Sequence, residues 1–413
     1  MSEASLPGEA DAVVIGAGAF GFSTAFQLAH LGARRVLLLD QFEPATQVSP
    51  RAAGLFKSVQ SNEIYSKISH LAMSVVRGFE AETGVAMPHV NSGSLLVART
   101  PEHASMIDAD IEDANGWGVE THRIDGAEAH RIAPFLSGDR LRAAYLIPGD
   151  LYIEEPKSLL LAFRAAGARK GMQTIGHTRV TGIVVDRGEV TGVETDRGLI
   201  RTPLVVDAAG VWSRSIGRLA GIEVYIQPIQ HQLRITSPIG GITAGQPIVR
   251  MPDASAYVRP ARGGLMVGGF EADPLPIDAA AIPGYHMDRT PFDPEIADSF
   301  SAAMAPDIEA LRDATAQEER AGIFTMTADG KIIAGPARGV RGFWITTGCN
   351  GSGFSLACGI GRCIAEWALG GESPIDLSSL DPNRFDRETL SDFALLIAAK
   401  NQYSNYYTPP FRD

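Results

Sequence analysis

Short apolar runs frame this chain. Val13, Val14 and Ile15, and then Val36–Leu39, are too short for helices and suit strands buried on both faces. Between them Phe22, Phe26 and Ala29 recur at helical spacing, and Gly32 follows as a stop. Alternating apolar and polar positions take over in HTRVTGIVV and VTGVETDRGLIRT, residues 177–185 and 190–202. Asp-Arg-Gly turns at 186–188 and 196–198 make this stretch a set of hairpins. A further buried strand is predicted over 204–206, and alternation returns at 227–239 and 255–269, which group with a short strand at 93–99. Helices are predicted over 63–83, in two stretches of 101–133, and over 156–171, 291–316 and 360–369. Residues 45–62, rich in small and polar side chains, read as a loop beneath a ligand, and 376–413 as irregular and then helical.

The stretch DAVVIGAGAFG, residues 11–21, places a strand, a glycine turn and a helix start in immediate succession. Gly16 permits the tight turn, Gly18 lets backbone approach a phosphate, and Gly21 lets the helix pack closely on the strand. Asp40 ends the second strand 24 residues after Gly16, where a carboxylate accepts hydrogen bonds from a ribose. This predicts a dinucleotide site and leaves the dinucleotide open. Nucleotide-type elements come first, in the middle and last, with other strands inserted between them. The fold class expected is therefore α/β with an α+β insert, built of two discontinuous domains. A Rossmann-type domain of residues 1–86, 150–220 and 323–385 is interleaved with a mixed-sheet substrate domain of 87–149 and 221–322, and a tail spans 386–413.

Composition narrows the partners. Of 413 residues, 45% are hydrophobic and 20% charged, as in an ordinary globular protein large enough for two domains. The net charge of −12 argues against nucleic acid and anionic membrane surfaces, but leaves room for a small anionic substrate. The N-terminus lacks a basic and apolar leader pattern, and no run of roughly twenty apolar residues exists. A cytoplasmic protein without a membrane span is expected. Cys349, Cys358 and Cys363 form neither a disulfide framework nor a metal pattern, so no metal is expected.

Four segments together resemble the FAD-dependent D-amino-acid oxidase superfamily, of glycine and sarcosine oxidase type: residues 11–21 with Asp40, 205–213 (VVDAAGVWS), 255–270 and 325–354. Within it, Ile229-Gln230-His231-Gln232, Tyr257-Val258-Arg259 and Asp381-Pro382-Asn383-Arg384-Phe385 are similar to the FAD portion of dimethylglycine and sarcosine dehydrogenases. That branch often continues into a folate-binding domain; this chain stops soon after Arg384, so no folate coupling is expected. The resemblance implies FAD held by Gly16, Gly18, Ala19, Phe20, Gly21, Asp40 and Gln41, then by Arg51, Ala52, Ala53, Gly54 and Leu55. It continues the site through Val180, Ala208, Ala209, Gly210 and Trp212 to Asn350, Gly351, Ser352, Gly353 and Phe354. Glycines 348, 351 and 353 before a helix also make sense unaided, because amides there stabilise the negative edge of a reduced flavin.

The activity implied is oxidation of a C–N bond in an amino acid or N-methyl amino acid, by hydride transfer to flavin and hydrolysis of the imine. His231 matches an active-site histidine, and an imidazole near neutral pH shuttles the amine's proton. Tyr257 matches a second site position, where a phenol either orients substrate or fills the sheet floor. Arg259 lies two residues on, on the same strand face, and either pairs with a carboxylate or is a surface arginine. Lys57 aligns with a carboxylate-binding arginine and either takes that role or is an exposed lysine, and Ser355 stands where the oxidases carry a carboxylate-binding lysine. Where sarcosine-type oxidases attach flavin through cysteine this chain has Gly322, and where the dehydrogenases use histidine it has Arg51, so FAD is expected to be non-covalent. Met266 replaces the oxygen-activating lysine, which favours a dehydrogenase over a peroxide-producing oxidase. The electron acceptor stays open between O2 and an electron-transfer protein or quinone. A reading from another class is a non-catalytic flavoprotein or complex subunit that docks through the aromatic tail, residues 403–411.

Overall fold

The computed structural model describes residues 6–385 and 390–407. Both opening apolar runs are strands, Ala12–Ile15 and Val36–Leu39, paired in parallel with Val13 opposite Leu37. Val205–Asp207 flanks the first strand in parallel, Phe343–Thr347 lies beyond it, and Met172–Ile175 and Ile333–Pro336 form the two edges. Alternate residues serve opposite faces. Val14, Leu38 and Val206 pack under the helices Ala19–His30, Glu63–Thr83 and Gly353–Gly370, while Val13, Leu37 and Val205 pack toward a three-stranded sheet. That sheet, Val180–Asp186, Glu189–Thr195 and Gly198–Arg201, is the antiparallel hairpin set its turns predict. Strands covered on both faces are apolar throughout, which is why these runs carried no alternation of their own.

Three expectations on element bounds are corrected. The late helix starts at Gly353, inside the stretch read as a glycine loop before residue 360. Its glycines are there for close packing: a Cβ at Gly359 would sit 2.3 Å from the Ile68 carbonyl oxygen, and one at Gly361 would sit 2.2 Å from Ser23 Oγ. Burial of backbone against backbone offsets the low helix propensity of glycine. The helix expected over 291–316 is only Pro294–Met304, started by Asp293, whose carboxylate accepts from the Glu295 and Ile296 amides. The loop over 45–62 holds a short strand, Leu55–Phe56, paired with Leu151–Tyr152.

A second, eight-stranded sheet stands over the first. Its order runs Ala316–Met326, Gln227–Thr236, Gly264–Gly269, Ala256–Ala261, Ile248–Met251, Ser94–Ala98, Ala143–Ile147 and His122–Arg123. Register places Arg250 opposite Tyr257, Tyr257 opposite Gly268, and His231 opposite Gly322, so these positions share one face. The last helix, Asp392–Ser404, packs against the strands Gln227–Thr236 and Ala316–Met326 at one end of that face.

Candidate active site

Between the two sheets lies a cavity of about 730 Å3. Its floor begins at the first glycine turn. Gly16 sits at φ +103°, and a Cβ there would meet the Ala208 carbonyl oxygen at 2.5 Å, so two strand ends close up only because both are small. Asp40 braces the turn by accepting from the Ala17 amide at 2.8 Å and the Phe42 amide at 2.8 Å. Burial pushes its carboxyl up to about 6. The helix Ala19–His30 has no side-chain cap at Gly18; the Ala19 amide donates to Ser49 Oγ at 2.9 Å, and the next two amides, of Phe20 and Gly21, have no carbonyl of their own helix to bond. A positive helix end next to an uncrowded glycine turn fits a pyrophosphate.

The remaining floor follows the expected order. Gly16, Gly18, Ala19, Phe20, Asp40, Gln41, Val180, Ala208, Ala209, Gly210 and Trp212 line the cavity. Arg51, Ala52, Ala53, Gly54, Leu55, Gly351, Ser352, Gly353 and Phe354 line it as well. Ser352 leaves the Gly353–Gly370 helix uncapped, its hydroxyl turned instead to Tyr406 Oη at 2.9 Å, so this helix end also faces the cavity open. A dinucleotide extended between two open helix N-termini fits this floor. Two positions lie off it. Gly21 packs under the turn, where a Cβ would be 1.8 Å from the Gly16 oxygen. Asn350 is buried and spends its amide on the Thr327 amide, at 2.9 Å, and the Gly348 carbonyl, at 2.7 Å.

Gly322 and Arg51, far apart in sequence, meet at one wall: a Cβ on Gly322 would lie 3.8 Å from Arg51 Cβ. Arg51 ion-pairs with Asp288. Neither position offers a nucleophile. The wall where the resemblance places either attachment is chemically blank in this chain.

The roof carries the polar chemistry. Tyr257 lies across Gly268, whose missing side chain makes the space: a Cβ there would be 2.3 Å from Tyr257 Oη. The phenol thereby reaches His231 Nε2 at 3.2 Å. On its other side His231 Nδ1 contacts Tyr403 Oη at 2.9 Å, and Tyr403 donates to Glu271 Oε2 at 2.7 Å. The imidazole stacks on Phe324 with ring centres 4.1 Å apart. Burial pushes its pKa down to about 3, so the expectation of an imidazole titrating near neutral pH is corrected: His231 stays neutral.

Lys57 and Ser355 line the cavity as expected. Lys57 donates to Tyr406 Oη at 2.9 Å, and Ser355 donates to the Ser352 carbonyl at 3.3 Å. Arg259 does not line it. It shares the strand face of Tyr257, but the segments 53–54 and 152–154 cover it. Nε donates to the Ala53 carbonyl at 2.8 Å, Nη1 to Pro260 at 2.7 Å and Nη2 to Glu154 at 3.2 Å, over the Tyr152 ring. With no exposed surface, no place on the cavity lining and each guanidinium nitrogen bonded to a backbone carbonyl, it anchors the cavity wall and does not reach a ligand there.

Another arginine, Arg250, which sequence reasoning missed, does reach the cavity. This arginine lines the cavity, is 5% exposed, pairs with Asp150 at 3.3 Å, and leaves Nε without a partner. The signal was a charge inside the apolar run Ile248–Met251. The aromatic tail is also relocated. Tyr403 is fully buried, and Tyr406 and Tyr407 line the cavity with Tyr406 stacked on Phe270 at 4.0 Å, so these side chains face inward rather than forming a docking surface. Residues 408–411 of that stretch lie outside the described residues. Burial pushes the Tyr406 phenol up, but Lys57, with Ser352 and Arg250, outweighs it and holds it below its ordinary value. Among the described residues no helix is long and apolar enough to cross a membrane.

Comparison with known proteins agrees with this geometry. Residues 11–367 match the family described as FAD dependent oxidoreductase. Mouse dimethylglycine dehydrogenase is 32% identical over 93% of this chain and 45% of its own length. Human sarcosine dehydrogenase is 31% identical over 98% of this chain and 45% of its own. The chain thus spans under half the length of these curated relatives. Among solved structures, L-proline dehydrogenase from P. horikoshii superposes with a TM-score of 0.83 at 26% identity, covering 94% of this chain and all of that one. Glycine turn, second open helix end and family match coincide: the chain belongs to the FAD-dependent oxidoreductase family of D-amino-acid oxidase type, and FAD is its cofactor.

Proposed function

We propose that this protein oxidises the C–N bond of a small amino acid or N-methyl amino acid. The observation that carries the reading is the positive charge on the cavity wall. Lys57 and Arg250 both belong to it, Asp150 answers Arg250, and among the described residues no carboxylate lies within ion-pair distance of Lys57. Asp150 is itself fully occupied, accepting from the Ser58 amide, Ser58 Oγ and Ser94 Oγ at 2.6, 2.7 and 2.5 Å. A wall with one cation in excess favours an anion, and a carboxylate matches its donors. The neutral His231–Tyr257 pair stands beside it for the amine. Bound FAD supplies a two-electron acceptor for the hydride leaving the carbon next to nitrogen. This chain's residues hold the carboxylate, keep the amine uncharged and exclude bulk water with a wall of Phe270, Phe324, Tyr406 and Tyr407.

A panel of N-methyl and D-amino acids, scored anaerobically by bleaching of the flavin band, tests this. Bleaching by at least one carboxylate-bearing secondary amine is expected, and a flavin that no member reduces would sink the proposal. Methionine at 266, where the resemblance implies an oxygen-activating lysine, offers no ammonium group and supports a dehydrogenase. Air admitted after anaerobic reduction is therefore expected to reoxidise the flavin far more slowly than turnover; reoxidation within a turnover time makes it an oxidase. Because Gly322 and Arg51 carry no nucleophile, acid precipitation is expected to leave yellow FAD in the supernatant. A yellow pellet over a colourless supernatant would contradict non-covalent binding.

A further inference from the structure

The hydrogen bonds behind His231 all point one way. Glu271, half-buried, accepts from Tyr403 Oη at 2.7 Å. A hydroxyl has one proton, so Tyr403 has none left for His231, and the imidazole Nδ1 must be the donor in their 2.9 Å contact. A neutral imidazole carries one N–H. Nε2 is therefore the bare nitrogen, and it accepts from the Tyr257 hydroxyl at 3.2 Å. Each proton from the cavity wall to Glu271 thus sits on the cavity side of its bond. The Tyr257 oxygen is left with lone pairs toward the cavity.

We propose that Tyr257, His231, Tyr403 and Glu271 form a directional proton relay that carries a proton from the substrate ammonium out of the cavity. This rests on the amine-oxidation reading above. In one pass the substrate N–H bond breaks and its proton joins Tyr257 Oη. The Tyr257 proton passes to His231 Nε2, the Nδ1 proton to Tyr403 Oη, and the Tyr403 proton to Glu271 Oε2. The amine becomes neutral with its lone pair free, Glu271 becomes a carboxylic acid, and the imidazole changes tautomer without ever carrying charge. Electrons and atoms balance, and no oxidant enters this step. An imidazole held neutral by burial conducts in this way, whereas it could not store the proton. Burial also raises the Glu271 carboxyl, which makes it a competent acceptor. Tyr403 and Glu271 are the new members: one comes from the last helix, the other from just past the strand Gly264–Gly269. Other titratable groups acting on the relay are Asp293 on Glu271, and Tyr406 and Arg259 on Tyr257; Lys400, on the helix of Tyr403, pairs with Asp273.

Tyr403→Phe keeps the ring and cuts the relay, and Glu271→Gln removes its acceptor. Both are expected to slow flavin reduction on the order of 100-fold at pH 7. The loss should fade toward pH 10, where the amine arrives already neutral. Profiles that superpose on the parent, or a loss of equal size at every pH, would overturn the relay. A second readout is independent of turnover. The 15N spectrum of His231, assigned with His231→Asn, is expected to show protonated Nδ1 and bare Nε2 from pH 5 to 9. The opposite tautomer, or an imidazolium signal near pH 6, overturns the relay. If the tautomer is as stated but no amine bleaches the flavin, the amine-oxidation reading fails and takes the relay's substrate with it, while the hydrogen-bond order from Tyr257 to Glu271 stands.

Discussion

A Gly16→Val protein is expected to purify without flavin, with its absorbance near 450 nm lost. Two costs fall on one atom. The backbone at φ +103° disfavours any L side chain, by about 1–2 kcal/mol. The added Cβ would also lie 2.5 Å from the Ala208 oxygen and 2.7 Å from Ala209 Cα, both rigid strand-end backbone. Relief requires the strands Ala12–Ile15 and Val205–Asp207 to part where they form the cofactor floor. Gly32→Ala is the matched control. It sits at φ +117° with nothing within 4 Å, so it carries strain without collision and is expected to keep its FAD. Full flavin retention in Gly16→Val would show that the turn does not seat the cofactor.

Lys57→Met is expected to raise KM for a carboxylate-bearing substrate about 10- to 100-fold, the equivalent of one lost charged hydrogen bond of roughly 1.5–3 kcal/mol. The turnover number should change little, because the carboxylate is held alike before and during hydride loss. Arg250→Met is a harsher test: it strands the buried Asp150 carboxylate and costs stability of order 3–5 kcal/mol. Arg250→Lys keeps the charge against Asp150 while narrowing the donor fork, and is the variant in which to read KM. If Lys57→Met and Arg250→Lys both leave KM and the binding of simple carboxylates such as benzoate unchanged, the anion is bound elsewhere.

These two results probe parts of the chain that differ in how far sequence alone exposes them. The glycine turn is contiguous, and its constraint is local: strand, turn and helix start lie within residues 11–21, and the residues permitted there are few. Strand faces were also legible, since period-two geometry puts Tyr257 and Arg259 on one face whatever lies above. What lies above is not local. Arg259 and Arg250 both belong to that sheet face, yet carbonyls of Ala53 and Glu154 cover the first, while the second meets the cavity. Only the path of two distant segments separates the covered arginine from the one that lines the cavity.

The sequence by itself thus determined the fold class and the dinucleotide floor, because both follow from short-range spacing and steric permission, whereas the roof histidine and tyrosine were singled out by the family resemblance of the residues around them. The tertiary structure decided the charge states and the partners. Burial sets His231 near 3 instead of near neutral, and burial depends on every element packed around it. The same is true of the tail: a row of tyrosines reads as a surface until the last helix turns Tyr403 against His231 and sets Tyr406 on Lys57. Spacing fixes where a side chain starts; solvent exclusion and long-range contact fix what it can do there.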